Sequence, residues 1–273
     1  MRRLFISLFC TVWMPLMVSA DSARLTPLFE AMRMPELLEI MRQEGVDHAA
    51  ALREGMFPGK GGKAWSAAVE HIYDPDRLAE LMSVGFGDAP NDAALHAMTA
   101  FFESGIGRRI SGLEIATRRA MLDPGVDEAM REALSAMIAE HTERMELLAE
   151  FVEVNDLVEA NVVGGLNANL AFHRGLRDGQ GLTAGMTEAE ILTHVMAQEP
   201  KLREDVTEWL YAFLAAAYSP LEDEELRRYI DVSATEEGRI FNRALFAAFD
   251  TLLTDVSYRL GIAAARLVQG EDI

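Results

Sequence analysis

The stretch FFESGIGRRI, Phe101 to Ile110, sets an aromatic run, a hydroxyl residue, a glycine and two arginines side by side. A second stretch, VSATEEGRIF from Val232 to Phe241, repeats that order. Shifting the chain by 131 residues without a gap pairs Asp92 with Asp223, Leu95 with Leu226, Gly107 with Gly238 and Arg108 with Arg239. The apolar phase follows, since Leu78 falls on Trp209, Met82 on Phe213, Met98 on Tyr229 and Phe101 on Val232. A chain that repeats helix, short turn, helix, glycine joint and helix is built from two related halves.

The rest of the chain also reads as helix. Thr26-Pro27, Asp74-Pro75, Asp123-Pro124 and Ser219-Pro220 each place a capping residue before a proline, the pairing found at helix starts. Ser219 with Glu222, and Thr187 with Glu190, have the spacing of a capping box. No segment alternates apolar and polar residues with β-branched enrichment, so no strand is expected. Met130, Leu134, Met137, His141, Met145, Leu148 and Val152 recur at steps of three and four, which predicts one long central helix from Asp127 to about Leu176. Gly164-Gly165 interrupts it, each glycine costing about 1 kcal/mol relative to alanine, so a kink or a close helix contact is expected there. The expected fold is therefore an all-α multi-helix bundle with a long central helix and an internal repeat of helical hairpins. Its parts are a leader (1–20), an N-terminal helical half (21–176), a glycine-rich linker (177–186) and a C-terminal helical half (187–273).

Composition bounds function. The opening MRRLFISLFCTVWMPLMVSA places Arg2 and Arg3 before an apolar run that closes on Val18-Ser19-Ala20, the layout of a secretory signal cleaved after Ala20. The run is shorter than the roughly 20 apolar residues that span a bilayer, so no stable membrane insertion is expected after cleavage. Cys10, the single cysteine, lies in this segment, which leaves no disulfide and no thiol nucleophile. Without Arg2 and Arg3, 23 of the 25 basic residues remain against 44 acidic ones, a formal charge of −21. That charge opposes nucleic acid and anionic lipid as partners. Export to a periplasm is the expectation.

The joint itself resembles the core signature of a bacterial family, domain of unknown function 2059, in two copies around 72–121 and 203–252. The second copy departs from it with Val232-Ser233 where the first has Phe101-Phe102. The resemblance implies an exported, all-helical bacterial protein, and it brings no catalytic residues to this chain.

Candidate sites were weighed against plain structural roles. Gly107 with Arg108, and Gly238 with Arg239, could grip an anion at a helix start, but their repetition favours a structural joint. FPGKGGKAW (Phe57 to Trp65) fails the P-loop spacing at both glycine-lysine pairs and reads as a loop that lets Trp65 dock into the core. No histidine stands in a Glu-x-x-His or His-Glu-x-x-His motif, and Glu190 with His194 makes only a lone pair, so no metal and no cofactor is expected. No Gly-x-Ser-x-Gly elbow occurs. Asn155, Glu159, Asn169 and His173 place polar groups on an otherwise apolar helix. They form either an internal network or the lining of a groove. The functional expectation is a non-catalytic periplasmic protein that binds an unidentified envelope protein. The alternatives are an envelope hydrolase with scattered Asp, Glu and His, and a carrier of a small apolar or lipid ligand, which the 15 methionines would suit.

Overall fold

The structure, a computed structural model, describes residues 20–56, 58–59, 62–87, 90–139 and 143–269. Residues 1–19 of the expected leader, Cys10 among them, lie outside the described residues, as do Glu140 and His141. The described residues form thirteen helices and no strand. In chain order these are α1 (Ala20–Ala31), α2 (Met34–Met56), α3 (Gly62–Ile72), α4 (Pro75–Phe86), α5 (Asp92–Glu103), α6 (Gly105–Ala120) and α7 (Pro124–Ala139). They continue as α8 (Glu143–Val154), α9 (Leu157–Asp178), α10 (Glu188–Met196), α11 (Glu199–Tyr218), α12 (Asp223–Ala234) and α13 (Glu236–Gln269).

The 131-residue shift maps helix bounds as well as residues. The limits of α5, 92 and 103, become 223 and 234, the limits of α12, and the start of α6 at 105 becomes 236, the start of α13. Between the paired helices the backbone makes the same corner. Ser104 lies at φ −67, ψ 167; its hydroxyl accepts from Gly107 N at 3.1 Å and donates to the Phe101 carbonyl at 2.6 Å. Thr235 lies at φ −63, ψ 163, accepting from Gly238 N at 3.0 Å and donating to the Val232 carbonyl at 2.7 Å. One hydroxyl thus satisfies an orphan amide of the new helix and an orphan carbonyl of the old one. The glycine is needed for space: a Cβ on Gly107 would stand 2.0 Å from the Phe101 carbonyl oxygen, and one on Gly238 2.2 Å from that of Val232. Arg108 and Arg239 are exposed and make no ion pair among the described residues, whereas neighbouring Arg109 reaches across to both Glu225 carboxylate oxygens at 2.7 Å.

The halves exchange partners. The α4 helix of the first copy packs on α13 of the second, and α11 of the second packs on α6 of the first. Two apolar cores result, one from α1 to α5 against α13, the other from α6, α7, α8, α11 and α12. The longest helix, α13, with 34 residues, runs through the first core and crosses α9 closely. Small residues permit that crossing: a Cβ on Gly175 would lie 2.1 Å from the Tyr258 carbonyl oxygen, and one on Gly261 2.2 Å from that of Phe172.

Several local expectations change. The central stretch read as one long helix is broken between α8, which ends at Val154, and α9, which starts at Leu157, and the long helix at the centre of the packing is α13. Between α8 and α9 the chain turns at Asp156, which adopts a left-handed φ of 51. Periodicity could not reveal this break, because the apolar stripe keeps its phase across it: Leu148 and Val152 are buried on one side and Val162 on the other. The α9 helix runs unbroken through Gly164-Gly165; Gly165 sits against Leu202, while a Cβ on Gly164 would meet nothing within 4 Å. Asp74 and Asp123 do precede helices that begin at proline, but Pro27 lies inside α1, and Pro220 follows α11, where a proline cannot continue the helix. The capping box near Pro220 is made by Glu222 and Glu225, not Ser219. That at Thr187 and Glu190 forms as expected. The glycine-rich stretch after α9 is packed onto the body: Gly179 and Gly181 lie against Ala265, and buried Thr183 donates to the His173 carbonyl at 3.0 Å.

Candidate functional site

Where the two cores face each other they leave a partly enclosed cavity of about 400 Å³. Both copies of the repeat build it. Ser111, Glu114, Ile115 and Arg118 of α6 line one wall at helical steps of three and four, so they share one face. The repeat carries these positions to Asn242, Leu245, Phe246 and Phe249 of α13, and all four of those line the cavity too. Met98 and Phe102 of α5, with their equivalents Tyr229 and Ser233 of α12, complete the paired lining. Equivalent positions of the two halves therefore line one cavity. Trp209, Phe213 and Tyr218 of α11, with Phe151 near the end of α8 and Phe241 of α13, bring the aromatic lining residues to nine, and Met32, Met34 and Met41 add soft, adaptable surface.

The paired walls differ in chemistry. On α13 the wall is apolar apart from Asn242, which donates to the Asn155 carbonyl at 2.7 Å, and Asp250, which accepts from Asn167 at 2.8 Å. On α6 it carries Glu114, whose Oε1 accepts from the Tyr218 hydroxyl at 2.6 Å. Glu114 has no ion pair among the described residues, and its Oε2 accepts no hydrogen bond from them. Desolvation pushes its carboxyl up from the ordinary 4.5 to about 7, against the smaller opposing effect of the Tyr218 hydrogen bond. The phenols of Tyr218 and Tyr229 are both raised, first by desolvation and then by the Glu114 charge, and they interact with each other. Arg118, one turn along α6, is already engaged: Nη2 donates to Glu44 at 2.8 Å and the guanidinium lies 5.3 Å from the centre of the Trp209 ring. Its Nε and the Ser111 hydroxyl are sealed in the packing without a hydrogen-bond partner.

The four polar residues singled out on one helix face separate: Glu159, Asn169 and His173 are on α9, whereas Asn155 lies in the turn between α8 and α9. Asn155 is buried at the cavity, its amide donating to the Phe151 carbonyl at 2.9 Å. The other three form a seam toward α10 and α11: Glu159 pairs with Arg203 at 2.8 Å, Asn169 donates to Gln198 at 2.9 Å, and the His173 ring lies 5.2 Å from that of His194. Desolvation, and secondarily His194, lower the His173 pKa. Glu190 is occupied by the cap at Thr187 and does not join His194. No group of three metal-ligating side chains occurs among the described residues, and none of their helices is long and apolar enough to cross a membrane.

Sequence reasoning missed Glu114, Tyr218 and Tyr229. A signal for Glu114 was present: it is the one acidic residue in a stripe whose copy 131 residues on carries leucine. No family model, curated protein or solved structure matches the chain.

Proposed function

We propose that this protein binds a small, mostly apolar molecule in the cavity between its two repeats. The observation that carries the reading is the cavity's construction. About 400 Å³ falls within the roughly 300–1,000 Å³ typical of small-molecule sites, the walls are largely aromatic and methionine side chains from both halves, and a few polar groups, Glu114 and Arg118 of α6 among them, stand in that apolar lining. Of the functions the sequence leaves open, ligand carriage is thus favoured over capture of an envelope protein, because the concave apolar surface is internal. A periplasmic location and kinship to domain of unknown function 2059 remain part of the proposal, resting on the first twenty residues and on the paired joints.

The test uses Gly164, which lines the cavity with room around it. Gly164→Leu should raise stability by about 0.5–1 kcal/mol, since leucine is the better helix former, while removing binding of a neutral naphthylamine dye that fluoresces in apolar sites. Dye binding that survives in this variant, at unchanged affinity, would place the ligand site elsewhere.

A second reading has one observation behind it. A carboxyl raised to about 7 and bonded to a tyrosine is matched to proton transfer near neutral pH. It would make the occupant of the same cavity a substrate, and turnover of a bound carbonyl compound lost in Glu114→Gln would establish it.

A further inference from the structure

Glu114 presents an unusual combination within this cavity. Its carboxylate faces aromatic and aliphatic walls, has a tyrosine donor on one oxygen and has no cation within ion-pair distance among the described residues. A buried charge without a counter-charge is costly, and such sites are ordinarily paired. The nearest candidate within the wall, Arg118, already holds Glu44 and the face of Trp209. Protonation relieves that cost at low pH; where the carboxylate is charged, a cationic ligand would relieve it.

The sign of that ligand follows from the groups that face the cavity. The titratable and charged ones are Glu114 and Arg118 on α6, Tyr218 on α11, Tyr229 on α12 and Asp250 on α13, with Glu44 of α2 reaching Arg118; α5 and α9 contribute none. Asp250 accepts from Asn167 at 2.8 Å, a neutral donor that leaves its charge in place. Two carboxylates thus face a single arginine whose charge Glu44 already offsets. Two potential donors to an anionic head group, the Ser111 hydroxyl and Arg118 Nε, are sealed in the packing. The aromatic lining adds negative ring faces, which attract cations and repel anions. The chain's formal charge of −19 acts in the same direction at long range.

Building on the reading of the cavity as a ligand site, we propose that its ligand class is the lipophilic organic cation. The positive nitrogen pairs with Glu114 Oε2 among the aromatic rings, and the apolar body fills the space toward Phe246 and Phe249 on the α13 wall. Tyr218 holds the carboxylate from the other side, so that its free oxygen is presented to the ligand.

Calorimetric titration of the purified protein with three probes sharing one tail tests this: phenylbutyl trimethylammonium, phenylbutanol and phenylbutyl sulfonate. None changes charge between pH 5 and 9. At pH 8.5 the ammonium should bind at least about tenfold more tightly than the alcohol, and the sulfonate most weakly. The preference should shrink below pH 6, where Glu114 takes up a proton, and Glu114→Gln, which keeps an acceptor for Tyr218, should abolish it at pH 8.5. The pH series on the unchanged protein carries the test should the variant fold poorly. Equal binding of ammonium and alcohol, tightest binding of the sulfonate, or a preference that survives Glu114→Gln would overturn the cation assignment while leaving the cavity reading intact. Failure of all three probes to bind would overturn both.

Discussion

The α6 and α13 helices occupy equivalent positions under the 131-residue shift, are entered through the same corner and face the same cavity, yet they present different side chains to it. Ser111, Glu114 and Arg118 stand on α6 where Asn242, Leu245 and Phe249 stand on α13. The corner allows no side chain on its glycine, because a Cβ on Gly107 or Gly238 would collide with a backbone carbonyl oxygen. The wall is less constrained, because a cavity surface has no fixed packing partner to satisfy. The two corners share their backbone geometry, and the side chains they lead to differ. Glu114 and Arg118 on α6 stand where α13 carries Leu245 and Phe249, so the two walls offer an amphipathic occupant unlike surfaces.

The largest expected effect tests the shared half of this comparison. Gly107→Val and Gly238→Val should each cost about 3–5 kcal/mol in chemical denaturation, since the obstacle is backbone and cannot move aside. A large loss in one and little in the other would mean that the two corners are not equivalent. Next comes the divergent half. The Glu114 carboxyl is raised from 4.5 to about 7 in the folded state, so its neutral form is the stabilising one. That contribution is fully present below pH 4.5 and is lost as pH rises through about 7. By linkage it amounts to about 3 kcal/mol. The stability of Glu114→Gln, measured by urea titration across pH 4 to 8.5, should lack this decline, and a parallel decline in both proteins would remove Glu114 as its source.

A smaller effect sharpens the picture of the polar wall. Tyr218→Phe removes the donor to Glu114 and should cost about 1–2 kcal/mol above pH 7, where the carboxylate is left with no hydrogen bond. It should cost less below pH 5. The smallest effects belong to the seam outside the cavity. Asn169→Leu breaks an exposed hydrogen bond to Gln198 and should cost less than about 1 kcal/mol in melting experiments. The lowered pKa of His173 means that its neutral form is favoured on folding, so the stability it contributes is present above pH 6.5 and declines on acidification below that. His194→Gln, which removes the charge facing it, should reduce that acid sensitivity.

Legibility in the sequence tracked locality. The all-α class, the cap at Thr187 and the equivalence of the two joints could be read because each depends on residues within one or two turns. The break in the central stretch at Asp156 escaped because buried Leu148 and Val162 stand about four helical turns apart across it. The four polar residues shared a helical face in projection, but the turn at Asp156 splits that face between the cavity, which receives Asn155, and the α10–α11 seam, which receives Glu159, Asn169 and His173. Glu114 was passed over because its acid is one of 44, and nothing within its own helix distinguishes it from those on the surface.

By itself the sequence determined the helical architecture and the two hydroxyl-glycine corners, since capping, periodicity and the absence of a glycine side chain act over a few residues. Only the tertiary structure decided that the halves exchange helices, that a cavity opens between them and that Glu114 meets Tyr218 from 104 residues away. A carboxyl acquires its chemistry from the dielectric and the donors around it, and those are assembled by parts of the chain that become neighbours only on folding.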